Sequence, residues 1–113
     1  MLHTKQKKGY LSEQRVLAQL NQMGWIPLGH RISLWNTEID LMVISSDHKE
    51  IWLIEVKTVA MPNWAHLISP TQKKRIEQVL HLLIEHYPQT QVRGHLALVS
   101  PNTINWIYDF FTN

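Results

Sequence analysis

The sequence predicts an α/β fold: one mixed sheet with helices packed on it, in the order α-β-β-β-α-β-β. Three observations carry this. Segments 9–23 and 70–87 repeat apolar residues at helical spacing. Runs 38–44 and 50–58 are β-prone and joined by a short polar stretch, which marks an antiparallel hairpin over about 38–58. Two further β-prone runs, 93–100 and 104–111, close the chain. Mixed elements in a chain of 113 residues suit one sheet with flanking helices. The length suits one domain, expected over 9–113 behind a flexible basic tail, 1–8.

The first helix is read from Val16, Leu17, Leu20 and Met23, a one-sided stripe that Gly24 can stop. Glu13 falls at the N-terminal end of that buried stripe, where it either complements the helix dipole or points at something beneath the helix. Residues 25–34 are β-prone but broken by Pro27 and Gly29, as in an edge strand or at a bulge. Trp35-Asn36 reads as a turn, and 45–49 as polar turn material. Pro70 or Thr71 can start the second helix and Pro88 follows its end. Its stripe is Ile76, Val79, Leu80, Leu83 and Tyr87, and Gln72 lies on the same side.

Composition excludes more than it assigns. At 44% hydrophobic and 18% charged the chain is globular, not disordered. No apolar run approaches the ~20 residues of a membrane span, and no signal-peptide core follows the first lysines, so a cytoplasmic protein without a membrane partner is expected. Cysteine is absent, which removes disulfides and thiolate chemistry. No Gly-rich phosphate loop is present, so no nucleotide cofactor is expected. Formal charge is only +2, but it clusters at Lys5, Lys7 and Lys8 and at Lys73, Lys74 and Arg75. Such clusters neutralise phosphates; the alternative is a solubilising tail and a solvated helix end. His81 and Glu85 share a helix face, yet the spacing fits neither H-E-x-x-H nor H-x-x-E-H, and a solvated pair is expected. Trp35 and Trp64 flank the hairpin in irregular segments and are candidates for base stacking.

The chemistry concentrates in the hairpin. Alternation puts Glu38, Asp40, Met42 and Ile44 on one face of the second strand, with Ile39, Leu41 and Val43 on the other. In the third strand Ile51, Leu53, Glu55 and Lys57 share a face. If Asp47-His48 is a two-residue turn, Asp40 faces Glu55 and Glu38 faces Lys57. Carboxylates so paired repel unless a proton or cation lies between them. A hard divalent cation takes oxygen ligands, and the Val56 carbonyl is within reach as another. Lys57 could hold water or stabilise charge on a phosphate. The alternative is a protruding hairpin end with a Glu38–Lys57 ion pair and two solvated carboxylates.

Asp40 followed by Glu55-Val56-Lys57, after a helix bearing Glu13, resembles the PD-(D/E)XK nuclease motif. More narrowly, the chain is similar to the YraN-like family of small bacterial proteins, relatives of endonucleases and Holliday-junction resolvases. The resemblance runs from about Gly9 to the C-terminus. It is carried by Ser12-Glu13, Glu38-Ile39-Asp40-Leu41, Ile54-Glu55-Val56-Lys57-Thr58, and Ser69-Pro70 leading into a basic helix. It implies a restriction-endonuclease-like core with Asp40 and Glu55 as ligands of Mg²⁺ or Mn²⁺, Lys57 as the catalytic lysine and Glu13 reaching the same site. It also implies DNA, branched or junction DNA included, as substrate. Lys73, Lys74, Arg75 and Gln72 would lie against the backbone with Lys7 and Lys8 as helpers, and a homodimer follows by analogy. The chain departs from the family pattern at Ser12, Thr37, Gln72 and His95. These departures motivate a rival expectation, a catalytically silent module on the same fold that binds nucleic acid or a protein. A further rival is a domain with no nucleic-acid role.

Overall fold

The computed structural model describes residues 4–59 and 68–112, with side chains from residue 9 onward. The elements are α1 (Thr4–Gln22), β1 (Ile26–Leu34), β2 (Thr37–Ile44), β3 (Glu50–Thr58), α2 (Pro70–His86), β4 (Gln91–Val99) and β5 (Ile104–Phe111). This is the expected order. Helix α1, however, begins at Thr4 and not at residue 9, so residues 4–8 are helix rather than flexible tail. The physical reason is local: Lys5, Gln6, Lys7 and Lys8 are good helix formers, and Gly9 within the run costs only ~1 kcal/mol. Gly24 ends the turn as expected, at φ 91.

The strands lie in the order β1-β2-β3-β4-β5. β1–β2, β2–β3 and β4–β5 are antiparallel, while β3 and β4 run parallel. That parallel pair needs a crossover, and α2 supplies it. Helix α2 is capped by Ser69, whose hydroxyl accepts from the Gln72 N–H at 3.1 Å, with Pro70 at the first turn.

The helices cover opposite faces. Val16 and Leu20 of α1 pack on Leu41, Val43, Ile54, Val56, Ala97 and Val99. Ile76, Val79, Leu80 and Leu83 of α2 pack on Ile51, Leu53, Leu96, Leu98 and Phe111. Tyr87, expected on that stripe, is the exposed C-cap. No helix among the described residues is long and apolar enough to cross a membrane.

Two details of the hairpin differ from expectation. The loop between β2 and β3 holds four residues, 46–49, because Ser45 N–H already donates to Glu50 O at 2.8 Å; the register is nevertheless the expected one, with Leu41 opposite Ile54 and Ile44 opposite Ile51. Alternation also breaks in β2. Ile39 packs on the α2 side, but Leu41 and Val43 pack on the α1 side. The break falls at Asp40, which lies opposite Arg31 between the pairs His30–Leu41 and Ile32–Ile39. Arg31 has φ 50, in the left-handed region that a non-glycine seldom adopts. The hairpin therefore bends there, and Ile32, Leu34 and Ile39 close over α2.

Candidate active site

Pairing between β2 and β3 ends at Leu41–Ile54. Asp40 and Glu55 are the next pair outward. In place of a ladder bond, Asp40 Oδ2 accepts the Val56 N–H at 2.8 Å. The parting strands open a cleft of about 410 Å³ lined by Gly9, Glu13, Arg31, Glu38, Asp40, Glu55, Val56, Lys57 and Gln72. Groups from both helices meet in this gap, which explains how Glu13, on the α1 side, shares it with Gln72 from α2.

Glu55 is only 5% exposed. Its Oε2 accepts from Gln72 Nε2 at 2.5 Å and lies 3.8 Å from Lys57 Nζ. Its Oε1 is buried with no hydrogen-bond donor among the described residues. Burial first, and then the neighbouring Asp40 carboxylate, push the Glu55 carboxyl up to about 9. Burial raises Asp40 as well, against the adjacent Glu55 carboxyl and the Val56 N–H, which lower it. The pair thus disfavours two bare charges. A shared proton satisfies it, and so does a cation.

Glu13 is 4% exposed. It accepts Arg31 Nε on Oε1 at 3.0 Å and Arg31 Nη2 on Oε2 at 3.2 Å, and His30 Nε2 lies 2.5 Å from Oε1. Those hydrogen bonds and the Glu13 charge raise the Arg31 pKa, keeping the guanidinium charged. Glu13 therefore lines the cleft, but both its oxygens are engaged on β1. Ser12 is buried and shares a 2.6 Å hydroxyl contact with Thr58 Oγ1, tying α1 to the end of β3.

The residues singled out from sequence sort clearly. Asp40, Glu55, Val56, Lys57, Glu13 and Gln72 converge on the cleft. Lys57 pairs with Glu55, not with Glu38; Glu38 is exposed on the cleft wall. Lys73 turns away, 3.1 Å from Glu77 and over the Phe110 ring. Lys74 and Arg75 are exposed on α2. Trp35 lines a different, apolar cavity beside His86, because the bent hairpin carries it over α2. Trp64 and the side chains of Lys7 and Lys8 lie outside the described residues. His95 is buried against Trp52 and Tyr108, with Nδ1 accepting the Asp109 N–H at 2.8 Å. His81 and Glu85 form the expected exposed pair at 3.0 Å.

Sequence reasoning missed His30 and Arg31. A signal existed: taking Trp35-Asn36 as a two-residue turn places Arg31 opposite Asp40. Both turn residues do have positive φ, 47 and 62, as a type I′ hairpin requires.

Among the described residues no group of three or more His, Asp or Glu side chains is assembled to hold a metal. Two carboxylates, one with a buried oxygen lacking a donor, nonetheless fit a hard divalent cation that completes its shell with water or phosphate oxygens.

No curated protein sequence matches this chain. Among solved structures it is similar to the Holliday junction resolvase Hjc of Archaeoglobus fulgidus, at TM-score 0.57 and 17% identity, covering 89% of this chain and 70% of that one. It is also similar to a repair endonuclease from Pyrococcus abyssi, at TM-score 0.50 and 17% identity, covering 89% of this chain but only 39% of that one. These likenesses establish the restriction-endonuclease-like fold. Residues 8–105 match the nuclease-related domain, NERD, and the chain belongs to that family.

Proposed function

We propose that this cleft is a nuclease centre that hydrolyses DNA phosphodiester bonds with Mg²⁺ or Mn²⁺ held by Asp40 and Glu55. The observation that carries the reading is the buried Glu55 Oε1 without a donor, beside a second carboxylate. The Val56 N–H points into the gap toward Asp40. The carbonyl of a strand residue points the same way as its N–H, so Val56 can add a third oxygen. A divalent cation there supplies Lewis-acid stabilisation of charge developing on the phosphate.

The chain's own groups do the rest. Gln72 fixes one oxygen of Glu55 and leaves the other for the cation. The Val56 N–H orients Asp40. Lys57, partly buried at the cleft, donates to a phosphate oxygen or orients the attacking water. Branched or junction DNA is the first substrate to test, since the similar resolvase is named for junctions. The narrower YraN-like placement and a homodimer belong to the same proposal.

One observation favours the rival, a silent binding module: the position facing Glu55 from α2 is the uncharged Gln72, and Lys73 is held by Glu77. Cleavage of labelled duplex and four-way-junction DNA separates the two. Wild type with Mn²⁺ should cut, and Lys57→Ala should lose at least about 100-fold in rate, the scale of one lost electrostatic stabiliser. Wild-type binding of Mn²⁺ and DNA without cleavage would establish the rival.

A further inference from the structure

We propose that Arg31 is a phosphate-binding subsite on the β1 wall of the cleft, and that Glu13 positions it instead of ligating the metal. This deepens, and rests on, the nuclease reading above.

Glu13 is nearly fully buried, yet both its oxygens are already bonded. Its Oε1 receives Arg31 Nε and faces His30 Nε2 as well. A carboxylate held between a guanidinium and an imidazole orients those groups, as carboxylates behind a binding residue do elsewhere. A cation on either oxygen would sit against the charged Arg31 guanidinium, which that same carboxylate already neutralises.

Arg31 is placed by a distorted backbone. At φ 50 in the body of β1 it occupies the left-handed region, and such conformations gather at functional sites. The distortion sits opposite Asp40, between the pairs His30–Leu41 and Ile32–Ile39. Glu13 takes Nε and Nη2, and Nη1 has no hydrogen-bond partner among the described residues. The side chain is 33% exposed and lines the cleft. Arg31 on β1 and Lys57 on β3 thus line the same cleft as Asp40 and Glu55. A guanidinium whose Nη1 meets no acceptor among the described residues, lining the cleft of Asp40 and Glu55, matches the planar, charge-assisted recognition of a phosphodiester phosphate.

The test uses the full chain and two readouts. One is anisotropy of labelled duplex and four-way-junction DNA across a KCl series, with Ca²⁺ present and read before any cleavage. The other is calorimetry with Mn²⁺ alone. The variants are Arg31→Gly, Arg31→Lys and Glu13→Gln. Glycine accepts φ 50 without strain, so Arg31→Gly removes the guanidinium with the backbone kept. It should weaken DNA binding about 5- to 20-fold and reduce the salt slope by about one. Arg31→Lys should restore the slope and only part of the affinity. Glu13→Gln should weaken DNA binding and leave Mn²⁺ affinity within about threefold of wild type, since a lost ligand group costs about 10-fold or more. An unchanged salt slope in Arg31→Gly overturns the subsite. A tenfold loss of Mn²⁺ affinity in Glu13→Gln overturns the positioning role. A wild type that binds neither Mn²⁺ nor DNA overturns the nuclease reading itself, and this inference with it.

Discussion

Burial and the Asp40 carboxylate push the Glu55 carboxyl from the usual 4.5 to about 9, and Asp40 moves in the same direction. Between those two pH values the native state binds more protons than the unfolded chain. Without divalent cations, the stability this carboxyl contributes is then fullest below about pH 4.5 and is lost as pH rises towards 9. Glu55→Gln cannot ionise, so it should flatten this slope and exceed wild type at pH 8 by at least ~1 kcal/mol in metal-free denaturant titrations. A Glu55→Gln curve that runs parallel to wild type over the same window would contradict the burial of an acid pair. Saturating Mn²⁺ should recover stability at pH 8, by about 2.7 kcal/mol at 100 times the dissociation constant. Ser12 makes a smaller claim. Ser12→Ala removes its 2.6 Å contact with Thr58 and should cost ~0.5–1.5 kcal/mol by thermal unfolding. The facing of Asp40 and Glu55 was legible from the sequence, because a hairpin register can be counted from its turn. The partners of Lys57 and Glu13 were not, since they depend on how the strands part.

At the scale of elements, the hairpin is the informative unit. Strand alternation predicts Ile39 on the face of Leu41 and Val43, whereas the structure places it on the α2 side. Simple alternation has no term for a residue such as Arg31 at positive φ. The same bend lifts Trp35 away from the cleft and onto His86. Helix α2 was readable almost to the residue, because Pro70 suits a first helical turn and Pro88 follows its end; the Ser69 cap emerged only from the structure. The far edge of the sheet carries a bulge between Gly94 and Leu96. A Cβ added at Gly94 would sit 2.8 Å from Phe111 Cβ, in a strand whose Phe111 is 1% exposed. Gly94→Ala should therefore cost ~1–3 kcal/mol, read from the thermal midpoint. An unchanged midpoint would mean that β5 moves freely at this edge.

At the scale of the whole molecule, two helices clamp a sheet whose β2–β3 pairing gives out at one end, and the acidic cleft forms where it does. Element order and the mixed sheet were legible because each element carries its own periodicity or punctuation. The early start of α1 was not, because lysine-rich sequence reads equally as tail or as helix. Charge acts at this scale as well. Net charge is only +2, so the proposed DNA binding rests on placed cations and not on overall charge. Lys74 and Arg75 are exposed, but Lys73 is paired with Glu77. Lys74→Ala should lower the salt slope of DNA binding by about 0.9, with Lys73→Ala leaving it unchanged; the reverse ranking would place the DNA on the Phe110 side of α2. The central claim, that Asp40 and Glu55 together hold one divalent cation, is tested most directly by titration calorimetry with Mn²⁺ at neutral pH. Wild type should bind a single ion per chain, and Asp40→Ala and Glu55→Ala should each abolish it. No wild-type binding at millimolar Mn²⁺, or binding that survives both substitutions, would contradict it.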